Sequence, residues 1–154
     1  MFIKHIFKNL VFKVAGYLVL AAVLFSQQLY ADNVSGVLVA SQNSQLNKIS
    51  IIEVRKLYLG LPASKQSGIK QPVINTSDKQ VYLSFMNKIM RMTEKSYNRK
   101  LIKRIFRQGA DKIISIDNNE ELVQFILDNP NNVTFMSMEK AKNAKGIKVV
   151  QPLW

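Results

Sequence analysis

Short apolar runs alternate with amphipathic helical segments along most of this chain, and this alternation limits the folds open to it. Runs rich in β-branched residues predict buried strands at Gly36–Ser41 and at residues 72–74, 112–116, 133–136 and 147–150. Between these runs, apolar residues recur at helical spacing. Strands and helices in alternation bury their apolar faces by packing helices on a sheet, so the sequence predicts an α/β sandwich.

Polar residues are placed to cap the first turns of these helices. Three capping boxes are present: Ser50 with Glu53, Ser77 with Gln80, and Asp117 with Glu120. Thr93 is placed to cap a helix over residues 94–107, which Gly109 ends, and residues 139–143 form at most a short helix. Residues 63–70 are expected to form a loop.

The first 31 residues differ in kind from the rest of the chain. Lys4, Lys8 and Lys13 precede the apolar run 14–25, and the small residue Ala31 follows after a polar stretch. Twelve apolar residues are too few to cross a bilayer, which takes about 20. We expect residues 1–31 to be a cleaved signal peptide and residues 32–154 to be one periplasmic domain. The alternative is an uncleaved membrane anchor.

The charge balance of the chain favours anionic partners. Loss of the predicted signal peptide leaves 19 of the 22 basic residues against 10 acidic ones, a net charge of +9. Such a charge attracts an anionic solute, lipid headgroups or an acidic protein face. Export makes nucleic acid an improbable partner, so none is expected.

The residue types present exclude several classes of catalytic site. The single histidine, His5, lies in the predicted signal peptide, and the chain contains no cysteine. A Ser-His-Asp or Cys-His nucleophilic site and a His- or Cys-ligated zinc site therefore cannot be built. No glycine-rich phosphate loop occurs either. We expect neither an enzyme nor a metal or cofactor.

Two features can carry function, and the first is the junction between the second strand and the following helix. Thr76 and Ser77 offer hydroxyls beside free backbone N–H groups and the positive end of a helix, a favourable place for an anion. Asp78 repels a fully ionised anion but accepts a hydrogen bond from a protonated one. The alternative is that Ser77 or Asp78 only caps the helix.

The second feature is a basic ridge on the helix at residues 94–107. Lys95, Arg99, Lys103 and Arg107 follow one another at steps of four residues, which places them on one side of the helix. Such a ridge is either the solvated outer face of an amphipathic helix or a surface that attracts anionic partners and membrane headgroups.

The ordered series of segments resembles a known family. It comprises a strand and Ser/Asn loop at residues 37–44, Leu-Tyr-Leu-Gly at 57–60, Pro-Val at 72–73, a helix ending in Phe106, and a Pro-led strand at 130–135. This order is similar to the short relatives of the periplasmic phosphate-binding protein of phosphate ABC transporters. The resemblance implies a three-layer α/β/α sandwich with a mixed sheet, equivalent to a single lobe of a binding protein.

This resemblance and the residues lead to two functional hypotheses. The first is a periplasmic solute-binding-like protein for phosphate or another oxyanion, connected with ABC transport. Its candidate ligand contacts are Ser41, Asn43, Ser44, Thr76, Ser77 and Asp78. The alternative is an interaction module that docks its basic ridge on an envelope protein or an anionic membrane surface, with no stable membrane span after signal cleavage. The family's Arg and Ser-Gly-Thr are missing at the junction, which favours the alternative.

Overall fold

The computed structural model describes residues 34–62 and 68–154. The predicted signal peptide and most of the predicted loop at 63–70 lie outside the described residues. Val34–Trp154 forms a compact unit of its own. Within the described ranges, every helix is too short or too polar to cross a bilayer.

Strands and helices follow one another in the order that the sequence predicts. The strands are β1 (Gly36–Ser41), β2 (Val73–Asn75), β3 (Ile114–Ile116), β4 (Val133–Ser137) and β5 (Ile147–Pro152). The helices are α1 (Ile51–Tyr58), α2 (Lys79–Ser84), α3 (Glu94–Gln108), α4 (Asn119–Asp128) and α5 (Met138–Asn143). A π-helical turn, Phe85–Met90, continues α2 directly and ends at Arg91 in the left-handed region, with φ of 54°.

The five strands form a mixed sheet. β1 pairs antiparallel with both β4 and β5, and β2 pairs parallel with β3. A parallel bridge between Pro72 and Val133 joins the two sets, and the Val133 N–H donates to the Gln71 carbonyl at 3.2 Å. The spatial order is therefore β3-β2-β4-β1-β5, in which β1 alone runs opposite to the other four.

Helices cover both faces of this sheet. Successive strand residues point to opposite sides, so the apolar central strands present apolar side chains on both faces. Leu38 and Phe135 face a core formed with α1, α2, the π-helical turn and α3. Val39 and Met136 face a second core, formed with α4 and α5. The three-layer α/β/α architecture and the mixed sheet expected from the family resemblance are confirmed.

Aromatic side chains dominate the core on the first face. The rings of Phe85 and Phe135 stack with their centroids 3.8 Å apart and nearly parallel. The Tyr58 ring meets both edge-on, at 4.8 and 5.6 Å. The Tyr97 hydroxyl donates to the Tyr58 carbonyl at 2.5 Å. Burial raises the pKa of both tyrosines, so each hydroxyl keeps its proton and remains a donor.

Two of the predicted helix caps shift by one residue. The Ser50 and Thr93 side chains accept from the backbone N–H three residues later, as predicted. Asp78, rather than Ser77, caps α2, because the Ser77 hydroxyl donates to the Asn75 side chain instead. At the start of α4 the cap is Asn118 rather than Asp117. In both cases the predicted and the observed cap are adjacent residues, of types that cap helices about equally well.

The C-terminal Trp154 folds back over the first strand. Its indole N–H donates to the Val34 carbonyl at 2.6 Å. The ring lies so close to Gly36 that a Cβ atom there would stand 2.1 Å from it. Gly36 is therefore required by the close approach of the ring to the backbone.

Substitution Gly36→Ala should lower the free energy of unfolding by about 1–3 kcal/mol, the usual cost of overpacking. Urea unfolding measures this loss. In a Trp154→Ala background the same substitution should cost much less, because the obstructing ring is gone. An equal cost in both backgrounds would contradict the packing described here.

Candidate functional site

Three helices begin at one edge of the sheet. Since β2, β3 and β4 run parallel, their carboxyl ends meet at this edge, and α2, α4 and α5 start directly after them. The N-caps of these helices are Asp78, Asn118 and Ser137. Helix N-termini carry a partial positive charge, and ligands of open α/β sheets bind outside the carboxyl ends of the strands. This edge, which we call the N-terminal edge of the helices, is the candidate site.

Asn75, the last residue of β2, shapes the junction at this edge. Its side chain is fully buried, and its Nδ2 donates to the Phe135 carbonyl of β4 at 2.9 Å. Its Oδ1 accepts from the Ser77 backbone N–H at 3.0 Å and from the Ser77 hydroxyl at 2.7 Å. One amide group thus holds both the neighbouring strand and the turn that leads into α2.

The Thr76 side chain points toward β3. Its hydroxyl donates to the Ile116 carbonyl at 3.1 Å and lies 3.4 Å from the Ser115 hydroxyl. The Thr76 backbone N–H donates to the same carbonyl at 2.9 Å. The hydroxyls of Thr76 and Ser77 therefore both hold internal hydrogen bonds.

Asp78 combines the capping role with an ion pair. Its Oδ1 accepts from the Val81 N–H at 3.2 Å, and its Oδ2 lies 2.8 Å from the Lys140 ammonium of α5. Partial burial raises the pKa of this carboxyl, but hydrogen bonds from Lys140 and Val81 outweigh it and hold the pKa below its ordinary value. At neutral pH the Asp78 carboxylate and the Lys140 ammonium are thus in contact, and further carboxylates lie in the first turns of α4 (Glu120 and Glu121) and α5 (Glu139).

Sequence reasoning did not find Lys140 as a site residue, and it placed Asn75 at the junction without a contact role. Lys140 lies 62 positions from Asp78, and only the parallel order of β2 and β4 brings α5 beside α2. The one available signal was Ser137, which ends the strand VTFMS and caps the helix that follows. It marks a helix N-terminus but not which other helix lies next to it.

The other predicted contacts lie at the opposite edge of the sheet. β1 runs against β4, so Ser41 lies beside the start of β4 and pairs with Ile147 of β5. The Ser41 hydroxyl accepts from the Asn43 N–H at 3.4 Å, and the Ser44 hydroxyl accepts from the Leu46 N–H at 3.2 Å. The structure does not bring Ser41, Asn43 and Ser44 together with the Thr76–Asp78 junction.

The basic ridge of α3 is exposed along its length. Lys95, Arg99, Lys103 and Arg107 are all solvent-exposed, and none of them forms an ion pair in the described part of the chain. As for metals, residues 34–62 and 68–154 contain no cluster of three or more His, Cys, Asp or Glu side chains that could hold an ion.

Comparison with solved structures identifies the fold. An ABC-type phosphate transport receptor from Vibrio cholerae is 14% identical, covers 76% of this chain and 45% of its own, and superposes with a TM-score of 0.54. PstS from Borrelia burgdorferi is 16% identical, with 76% and 46% coverage and a TM-score of 0.50. The chain shares the fold of phosphate transport receptors.

The likeness rests on structure rather than on sequence. No protein-family model matches the chain, and no curated protein matches its sequence. The chain spans less than half the length of the two receptors. The expected family resemblance is confirmed at the level of the fold.

The Lys140–Asp78 ion pair gives a pH-dependent prediction. Lys140→Met should lower the free energy of unfolding near pH 7 by up to about 1 kcal/mol, since this is a partly exposed pair. The folded pKa of Asp78 is lowered, so the stabilisation is present above the ordinary value and disappears as pH falls through the folded pKa. The difference between variant and wild type should therefore vanish in acid.

Urea unfolding between pH 2 and pH 7 measures this difference, in the range that brackets carboxyl titration. Lys142→Met is the matched control, since Lys142 lies on the same helix and is exposed. A pH-independent loss for Lys140→Met, or an equal loss for Lys142→Met, would contradict a stabilising ion pair.

Proposed function

We propose that the protein is a periplasmic solute-binding-like protein that binds phosphate or another oxyanion at the N-terminal edge of the helices. The observation that carries this proposal is the meeting of three helix N-termini with the Lys140 ammonium at one sheet edge. Backbone N–H groups at helix starts bind anions without any specialised motif. The likeness to phosphate receptors supports the same ligand class.

Four side chains would contact the ion. Lys140 supplies an ammonium that it shares with the Asp78 carboxylate, and the hydroxyls of Thr76 and Ser77 exchange their internal hydrogen bonds for bonds to the oxyanion. Asp78 accepts a hydrogen bond from an oxyanion that still carries a proton. Since Ser41, Asn43 and Ser44 lie at the other edge, the proposal leaves these three residues out.

A single lobe limits the affinity. The chain spans 45% of the length of the receptor from Vibrio cholerae, and ligand sites usually enclose most of the ligand surface. An ion held at an open edge stays partly hydrated, so we expect weak binding in the millimolar range. Tight binding, and any link to an ABC transporter, would require a partner that covers the other side of the ion.

We propose binding rather than catalysis, and a periplasmic location. The described residues carry neither histidine nor cysteine, which removes the usual nucleophile and base pairs. The basic and apolar segments at residues 1–31 supply the features of an export signal. The likeness to receptors of transport systems supports the same reading.

A thermal-shift titration with phosphate tests the proposal. At ten times the dissociation constant, a ligand that binds the native state alone adds about 1.4 kcal/mol of stability, which is roughly a 5–6 °C rise in Tm for a domain of this size. The rise should saturate with phosphate and be absent in chloride of equal ionic strength.

Two serine variants locate the site. Ser77→Ala should weaken the phosphate-dependent rise severalfold because it removes a hydroxyl at the proposed site. Ser44→Ala is the matched control at the opposite edge, where the hydroxyl also holds an internal hydrogen bond, and it should leave the rise unchanged. Equal shifts in phosphate and chloride, or equal losses in the two variants, would refute the proposal.

A further inference from the structure

Helix α3 is exposed to an unusual degree for a helix of its length. Of its 15 residues, Tyr97 alone is buried. Ile102 is 54% exposed and Phe106 is 84% exposed. These two apolar side chains are four residues apart, so they are neighbours on the helix surface. Together they form an apolar patch, Ile102 and Phe106, on the outer side of α3.

Cations border this apolar patch on one flank and toward the start of the helix. Lys95 lies seven residues before Ile102, and Arg99 lies seven residues before Phe106. Seven residues make about two helical turns, so these cations lie on the same side of the helix as the apolar residues. Lys103 and Arg107 follow the apolar residues directly in sequence and lie on one flank. The outer side of α3 thus combines the basic ridge with the apolar patch.

The single acidic residue of α3 does not offset this charge on the outer side. Glu94 lies in the first turn and interacts with Tyr82 of α2. Burial, the negative charge of Glu94 and the hydrogen bond that the Tyr82 hydroxyl donates to Glu94 raise the pKa of Tyr82 to about 12. Glu94 is therefore held on the side of α3 that meets α2.

A groove between α3 and Leu59, the residue that follows α1, presents further cations. It has a volume of about 320 Å³. Its cationic lining comprises Lys100, Lys103, Arg104 and Arg107. The Arg104 Nε is buried and has no hydrogen-bond partner among the described residues.

We propose that α3 docks the protein on bilayers that contain anionic phospholipid. Phe106 and Ile102 enter the boundary between headgroups and acyl chains, and the basic ridge contacts the phosphates, as in helices that lie in the membrane interface. Two neighbouring exposed apolar side chains bordered by cations match the pattern of such interfacial helices. An acidic protein would match the charge but needs a pocket for Phe106, whereas a bilayer does not. This proposal is independent of the oxyanion site.

Co-sedimentation with vesicles tests the proposal. The protein used is the chain from Asp32 onward, because the apolar run 14–25 would itself enter lipid and Val34–Trp154 is a separate compact unit. Vesicles of phosphatidylcholine with about a third phosphatidylglycerol should bind the protein, and vesicles of phosphatidylcholine alone should not. The surface charge of the first set is what attracts cationic segments.

Charge reversal on the ridge should weaken this binding strongly. The triple substitution Lys95→Glu, Arg99→Glu and Lys103→Glu should lower the partition coefficient roughly a hundredfold, since each cation near an anionic surface contributes about fivefold. The matched control reverses Lys48, Lys142 and Lys145, which are exposed elsewhere on the domain. It has the same net charge and should lose far less. Equal losses in both triple variants would overturn the assignment to α3.

The apolar patch has its own test. Phe106→Ser should weaken binding about tenfold because it removes a large apolar side chain from the acyl boundary. Ile52→Ser is the control, since Ile52 is 62% exposed on α1. In addition, Phe106→Trp should shift its emission to the blue on anionic vesicles, and Ile52→Trp should not.

Three results would overturn the proposal. The first is no binding of the wild-type chain to anionic vesicles, including the case in which it binds an acidic protein instead. The second is binding unaffected by Phe106→Ser, which would show that no side chain enters the lipid. The third is an unshifted Phe106→Trp emission. Circular dichroism of each variant shows that the fold is retained before vesicles are added.

Discussion

Strands β2 and β4 meet through a single backbone bridge, and buried side chains complete the seam between them. The Thr134 hydroxyl donates to the Val73 carbonyl at 3.0 Å, and the Tyr58 hydroxyl donates to the same atom at 3.2 Å. Asn75 Nδ2 donates to the Phe135 carbonyl at 2.9 Å. A buried carbonyl or amide left unpaired costs about 1–3 kcal/mol, so these bonds make one five-stranded sheet out of two smaller ones. The shared sheet edge, and with it the gathering of three helix starts, depends on this seam.

Local patterns were sufficient to predict most of the elements and the layer architecture. The run GVLVAS is buried at every residue, as a central strand should be. The four cations of the basic ridge on α3 are exposed. These predictions depend on periodicity and composition within a few residues, where sequence carries the information directly.

The arrangement of the candidate site depends on contacts between distant parts of the chain, which no local pattern encodes. Asn75 reads as an ordinary turn residue after a strand, yet it bonds a strand 60 positions away. The same side chain determines which residue caps α2. The Ser77 hydroxyl donates to Asn75 Oδ1, and Asp78 accepts from the helix instead. The antiparallel direction of β1 separates Ser41 from Thr76, and strand direction is not visible in a six-residue run. The pairing of Asp78 with Lys140 follows from the same strand order.

Amide hydrogen exchange at Ser77 in an Asn75→Ala variant tests most directly whether Asn75 joins the seam to the candidate site. The Ser77 N–H should exchange much faster in the variant, because its acceptor, Asn75 Oδ1, is gone. The Ser44 N–H, which donates to the Ser41 carbonyl at the opposite edge, should change only as much as the overall stability falls. Unchanged protection at Ser77, or equal acceleration at Ser77 and Ser44, would contradict the account.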